Sequence, residues 1–206
     1  MNKIINTIIF DFGGVLIDWN PMNVYIKAFD GDIEKARWFL DNICTFSWNT
    51  ALDGGKDWQQ SIDEKIAEFP EFEKLIRLYM EEWELMLTDP IHETVEILKK
   101  LKDSGKYRLY AITNWSAPTF SVTFKKYDFL KWFEAISVSG ELKMLKPDKE
   151  IYLYTLNKHH IKAENSIFID DNHANVQTAN ELGMNGIIFK GAEELKQSLK
   201  DLGVEV

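Results

Sequence analysis

The stretch Ile4-Ile5-Asn6-Thr7-Ile8-Ile9-Phe10-Asp11-Phe12-Gly13-Gly14 decides the fold. A short run rich in isoleucine is followed at once by an acid and then two glycines, which suits a buried parallel strand over residues 4–10 that ends in a sharp turn. The run is interrupted by Asn6 and Thr7 and stopped by Asp11, so it is too short to span a bilayer, and no small-residue cleavage site follows it.

Outward from that strand the chain alternates. From Pro90 to Lys102 the apolar residues Ile91, Val95, Leu98 and Leu101 recur at helical spacing, Ser104-Gly105 stops the helix, and RLYAIT (108–113) follows as an apolar strand. The pattern repeats with SAPTFSVTFKKY (116–127) as helix, EAISVS (134–139) as strand, KEIYLYTLNKHH (149–160) as helix and SIFIDD (166–171) as strand. A helix in ANVQTANELG (174–183), a strand in GIIFK (186–190) and a helix in AEELKQSLKDLG (192–203) complete it. Strands alternating with helices imply right-handed crossovers and an α/β fold: a Rossmann-like core of three layers, with a mostly parallel sheet covered by helices on both faces.

Residues 20–87 differ in character, with helical signals, Trp38, Trp48, Trp58 and Trp83, and no strand. They read as a small helical insertion into a core made of residues 1–19 and 88–206. Asp53-Gly54-Gly55 is its clearest turn, and DEKIAEF (63–69) resumes a helical pattern toward Pro70. The aromatic residues suit packing between helices, with Trp48 and Asn49, just ahead of the glycine turn, as the pair that could instead meet a ligand.

Composition bounds the function. With 45% hydrophobic and 28% charged residues among 206, the chain can bury an ordinary globular core. A net charge of -9 and a pI near 5.0 work against nonspecific binding to nucleic acid or an anionic membrane, both of which call for a basic surface. Cys44 stands alone, so an internal disulfide and a cysteine-based zinc site are excluded and a buried, inert thiol is expected. A reducing cytoplasmic location is the default that follows.

In an open parallel sheet the carboxyl ends of the strands share one edge, where ligands bind. The polar residues just beyond the strands are Asp11, Thr113 and Asn114, Lys146 after EAISVS, and Asp170 and Asp171 after SIFI. Hard carboxylate oxygens bind Mg²⁺, while an ammonium, a hydroxyl and loop N–H groups hold phosphate oxygens, so the set fits one metal and one phosphate. Each residue has a plainer reading: Asp11 as a turn or cap, Asp170 or Asp171 as caps of the helix starting near His173, Lys146 as a solvated lysine, Thr113 as a buried strand-end hydroxyl. His92, His159, His160 and His173 have no metal-ligand spacing.

These residues also carry a family resemblance. IIFDFGGVLI (8–17) is similar to the first motif of haloacid dehalogenase-like hydrolases, AITN (111–114) to the second, Lys146-Pro147 to the third and FIDDNHANVQTA (168–179) to the fourth. The insertion between the first two motifs resembles the helical cap of subfamily I, and the overall pattern resembles the group of glucose-1-phosphate phosphatases and the N-terminal phosphatase domain of soluble epoxide hydrolases. The resemblance implies a Mg²⁺-dependent phosphatase in which Asp11 attacks phosphorus and forms an aspartyl phosphate. By the same resemblance Asp11, the main-chain carbonyl of Gly13 and Asp171 bind Mg²⁺, with Asp170 at or behind the metal and Asn175 orienting its surroundings. Thr113, Asn114 and Lys146 hold the substrate phosphate. The implied substrate is a small phosphorylated metabolite, of the sugar phosphate kind.

Two positions depart from the family pattern. Most such phosphatases carry a second Asp two residues after the nucleophile, which protonates the leaving oxygen, and here that position is Gly13. Three consequences are open: a substrate whose leaving group departs easily, a proton from Asp18 or a cap side chain, or poor hydrolysis of phosphate esters. The other departure is Lys143, where relatives show Gly; a solvated side chain is expected there. Haloacid dehalogenases also lack the second Asp but need no metal; phosphonatases need a cap lysine, for which Lys35 and Lys56 are candidates; a binding protein on a decayed scaffold is the reading without chemistry.

Overall fold

The computed structural model describes residues 4–206. Five parallel strands form the central sheet: β1 (Thr7–Phe10), β4 (Arg108–Thr113), β5 (Ala135–Val138), β6 (Ser166–Asp170) and β7 (Asn185–Ile188), in the order β5-β4-β1-β6-β7. The expected α/β fold is the one observed. The period of two along each strand sorts the side chains between two packed clusters: Ile8, Phe10, Leu109, Ala111, Ile167 and Ile169 enter one, while Ile9, Tyr110, Ile112 and Phe168 enter the other. Helices α6 (His92–Ser104), α7 (Ala117–Lys126), α9 (Lys149–Lys158), α10 (His173–Glu181) and α11 (Ala192–Asp201) supply the covering layers.

The first strand is shorter than its sequence suggests. Ile4 is 74% exposed, and Asn6 already spends its N–H on the Asn165 carbonyl, so sheet pairing starts at Thr7. Central β1 pairs with β4 on one side and β6 on the other, and the chain's path reverses there. Beyond the carboxyl end of such a reversal the loops diverge and leave a crevice.

Residues 22–81 contain helices α1 (Met22–Ala28), α2 (Ile33–Asn42), α3 (Phe46–Asp53), α4 (Trp58–Glu68) and α5 (Glu73–Glu81). Three of them start on side-chain caps that satisfy a first-turn N–H: Asp32 for Lys35, Thr45 for Trp48 and Asp57 for Gln60. Asp57 starts α4 five residues ahead of Ile62, earlier than the DEKIAEF pattern indicates. A short antiparallel ribbon of β2 (Ile17–Trp19) and β3 (Leu87–Pro90) joins this helical part to the sheet. Among the described residues the region 20–87 holds no strand before Leu87, as expected; the ribbon flanks it, and its strands of three and four residues, one ending in Pro, are too short to leave a period. Cys44 is buried, and burial pushes its thiol up to about 12, as an inert residue requires. Among the described residues no helix is long and apolar enough to cross a membrane.

Candidate active site

Residues from the segments after β1, β4, β5 and β6 meet at the crevice. Asp11 follows β1 directly and donates its N–H to the Ile169 carbonyl of β6 at 2.8 Å, which fixes the turn. Its Oδ1 accepts from the Phe12 N–H at 2.7 Å and lies 2.8 Å from Lys146 Nζ. Oδ2 accepts no bond from the described residues and is open to a ligand. Lys146 Nζ also donates to Asp170 Oδ2 at 2.6 Å, and both partners of that bond are buried.

Asp170 is fully enclosed and its oxygens are taken up: besides Lys146 they accept from Asn175 Nδ2 at 3.0 Å and from the Asn172 N–H at 2.8 Å. Its neighbour Asp171 is exposed and lines the cavity. Asn172, not either Asp, caps α10 by accepting from Ala174, so capping does not claim Asp171. Gly14 makes the approach of Asp171 possible: at φ +71° it adopts a left-handed conformation, and a Cβ there would stand 2.4 Å from Asp171 Oδ2.

Asn114 braces the lysine loop instead of standing free. Its Oδ1 accepts from the Lys146 N–H at 2.8 Å and its Nδ2 donates to the Lys146 carbonyl at 2.9 Å, beside the cis Lys146–Pro147 peptide. Thr113 closes β4 as a buried hydroxyl whose Oγ1 has no hydrogen-bond partner among the described residues. It is not among the residues lining the cavity, whereas Asn114 and Lys146 are. A buried donor without a partner costs free energy unless something polar reaches it.

The electrostatics follow from three carboxylates around one ammonium. Burial, reinforced by Asp170 and opposed by Lys146, pushes Asp11 up to about 7. Burial, with Asp170 again adding, raises Asp171 as well. Burial alone would lower the Lys146 ammonium, but attraction to Asp11 and Asp170 outweighs it and holds the group charged above its ordinary value. One carboxylate oxygen from each of Asp11, Asp170 and Asp171 can lie within 4.8 Å of the other two. An all-oxygen set carrying surplus negative charge suits a hard dication such as Mg²⁺.

The cavity above this floor has a volume of about 430 Å³. Its roof comes from α3, through Phe46, Asn49, Thr50 and Asp53, and its sides from Trp19, Trp83 and Trp115. Asn49, one of the two residues singled out in the insertion, therefore reaches the cavity; Trp48 instead packs edge-on against Tyr79 at 4.9 Å. Asp53, read from sequence as part of a turn, is the last residue of α3, and its side chain lines the cavity. The i, i+4 spacing of Asn49 and Asp53 is the signal that places both on one helix face. Lys143 is exposed and left-handed at φ +56°, a conformation that glycine enters without steric cost.

Known proteins agree with this geometry. The sequence profile of haloacid dehalogenase-like hydrolases matches residues 8–189. Drimenol cyclase drtB of Aspergillus calidoustus is 34% identical over 103 residues, 50% of this chain but 20% of that protein, so this chain spans about a fifth of that relative's length. D-ribitol-5-phosphate phosphatase of Bacteroides thetaiotaomicron is 22% identical over 206 residues, 95% of this chain and 97% of that protein. The magnesium complex of the HAD family enzyme BT-2542 from the same organism superposes with a TM-score of 0.72 at 23% identity, over 95% of this chain and 98% of that one, a likeness of fold. With the profile running from β1 through the residue after β7, and so across all four strand-end motifs, the chain belongs to the haloacid dehalogenase-like hydrolases.

Proposed function

We propose that this protein is a Mg²⁺-dependent phosphatase that releases phosphate from a small sugar or polyol phosphate through an aspartyl phosphate on Asp11. The observation that carries the reading is the buried Lys146 ammonium 2.8 Å from Asp11 and 2.6 Å from Asp170, with Asp171 brought to the same cluster past Gly14. Asp11 Oδ2 is the attacking oxygen, since Oδ1 is engaged by Phe12 and Lys146. Asp11, the Gly13 carbonyl and Asp171 hold the metal, with Asp170 behind them anchoring Lys146 and Asn175. Bound there, Mg²⁺ supplies positive charge against the phosphate oxygens. Lys146 and the unpartnered Thr113 hydroxyl hold the remaining oxygens, and Asn114 keeps the lysine loop in place. Residues 20–87 act as a cap whose α3 face closes over the substrate.

A sugar or polyol suits a cavity that offers Asn49, Thr50 and Asp53 to hydroxyl groups and tryptophan faces to the carbon skeleton. The full-length relative named as a D-ribitol-5-phosphate phosphatase supports the same class. The phosphonatase alternative loses its lysine: neither Lys35 nor Lys56 lines the cavity, and they pair with Asp32 at 3.0 Å and Glu64 at 2.6 Å. The test is phosphate release from a panel of small phosphate esters with and without Mg²⁺. Release that depends on Mg²⁺ and disappears in Asp11→Asn is expected. No release above that variant overturns the reading, and chloride release from 2-chloropropionate without metal would replace it with a dehalogenase.

A further inference from the structure

Asp11 displaces the leaving group in line, so the departing oxygen moves away from the floor of the cavity and toward α3. That oxygen needs a proton if it belongs to an alkyl ester, because an alkoxide is too basic to leave unaided. Four titratable side chains line the cavity: Asp11, Asp171 and Lys146 on the floor, and Asp53 on the roof. The floor groups are committed to phosphate and metal. Asp18 is exposed, accepts a hydrogen bond from Thr88 at 2.6 Å and does not line the cavity.

We propose that Asp53 is the general acid and base of this enzyme, delivered by the cap in place of the core carboxylate that Gly13 lacks. The inference rests on the phosphatase reading. In the first step the bond from Asp11 Oδ2 to phosphorus forms as the ester P–O bond breaks, and the leaving oxygen takes that electron pair and the Asp53 proton. In the second step the Asp53 carboxylate takes a proton from water as the water oxygen bonds phosphorus, and the electron pair of the Asp11–phosphorus bond returns to Asp11.

The side chain is held for this work from two directions. Tyr79 of α5 donates its hydroxyl to Asn49 Oδ1 at 2.9 Å, which turns the amide so that Asn49 Nδ2 donates to Asp53 Oδ2 at 2.8 Å. From the core, the Ser116 main-chain N–H faces the Asp53 carboxyl and draws it toward ionisation, and Ser139 Oγ donates to the Asp53 main-chain carbonyl at 2.6 Å. The acid is thus in place when α3 is docked on the loops after β4 and β5, which links proton delivery to cap closure. The groups around it are Tyr79 on α5, Asp11, Asp171 and Lys146 across the cavity, and Lys143 beside Gly55. Burial pushes Asp53 up to about 8, against the pull of the Ser116 and Asn49 donors, so it carries its proton at neutral pH.

The experiment compares Asp53→Asn with the parent on two esters, glycerol phosphate as the alkyl ester and p-nitrophenyl phosphate, whose leaving group needs no proton. The expected result is a fall in kcat/KM of about 10²- to 10⁴-fold on the alkyl ester, little change on the aryl ester, and loss of the decline in alkyl-ester rate above about pH 8. Gly13→Asp added to Asp53→Asn should restore part of the alkyl-ester rate, since a Cβ at Gly13 has nothing within 4 Å. Equal losses in kcat/KM on both esters, or a parent whose kcat/KM falls steeply as the leaving-group pKa rises, would overturn the role of Asp53, whereas kcat on the aryl ester falls with the shared second step. Neither result touches the phosphatase reading, which fails only if Asp11→Asn leaves phosphate release intact.

Discussion

Asp53→Asn should make the ligand-free protein more stable while costing it activity. The sign follows from linkage. Asp53 has an ordinary value of 3.8 and is pushed by burial up to about 8 in the fold, so between those limits the folded state binds a proton that the unfolded chain releases. The stability tied to that proton is fully present below 3.8 and is lost as pH rises through about 8. At 1.36 kcal/mol per pH unit the full span sets an upper bound of about 6 kcal/mol on the cost of keeping this group at pH 8. Asparagine never ionises and avoids that cost, but its Nδ2 is a donor where the carboxyl has a second acceptor oxygen, and one weakened bond gives back about 1 kcal/mol. The side chain is only half-buried beside an open cavity, so solvent screening softens the penalty. We therefore expect a gain of about 2 to 3 kcal/mol at pH 8 that falls with pH and becomes a loss of about 1 kcal/mol near pH 4, where only the weakened bond is left. Urea unfolding of parent and variant across that range measures it. A gain that does not vary with pH, or a loss at pH 8, would refute the claim that Asp53 is held protonated by burial.

Three further outcomes follow from the same geometry. Lys146→Met strands Asp11 and Asp170 without their shared ammonium, so unfolding at pH 8 should show a loss of about 3 to 5 kcal/mol that is relieved at acid pH, where the carboxyls protonate. Gly14→Ala costs about 1 to 2 kcal/mol of backbone strain and pushes Asp171 aside; titration calorimetry should show Mg²⁺ affinity lowered at least about 10-fold with the fold intact. The Cys44 thiol, raised to about 12, should resist Ellman's reagent in the native state at pH 8 and react promptly in urea; fast native reaction would contradict its burial.

The floor of the site was legible because it obeys a rule of topology. In a parallel sheet every strand ends on the same edge, so the residue after each apolar run is a candidate wherever the run is recognised, and Asp11, Asp170, Asp171 and Thr113 were all found that way. Lys146 lies eight residues beyond the end of β5, past a four-residue helix, α8 (Ser139–Leu142), that no periodicity announces. Its place in the segment after β5 makes it a candidate, and the Lys146-Pro147 motif gives it a role. The roof was harder. Asp53 looks like a turn residue because two glycines follow it, and its functional setting depends on Tyr79, Ser116 and Ser139, which lie 26, 63 and 86 residues further along the chain. No local pattern encodes a residue whose setting is completed by three distant side chains and loops: Tyr79 acting through Asn49, Ser116 facing the carboxyl and Ser139 bonded to the main-chain carbonyl. The β2–β3 ribbon escaped for a related reason: its strands exist only because each finds the other 70 residues away.

The two carboxyls on either side of the substrate need opposite states. Asp11 must be ionised to attack, and Asp53 must be protonated to donate. Without a cation both are raised by burial, to about 7 and about 8, so the bare site does not yet separate the roles. Asp11 sits in a cluster with Asp170 and Asp171, where a dication would pull it down toward the ordinary carboxylate range. Asp53 is bonded instead to the neutral Asn49 amide and faced by the Ser116 N–H on the opposite wall, so the same cation leaves its proton more securely bound than that of Asp11. Metal binding on the floor and cap docking at the roof then assign nucleophile and acid to carboxyls that start nearly alike. On this view Gly13 is not a gap in the machinery: the proton donor has moved from the core loop to the cap, and it reaches the leaving group only when the cavity is closed.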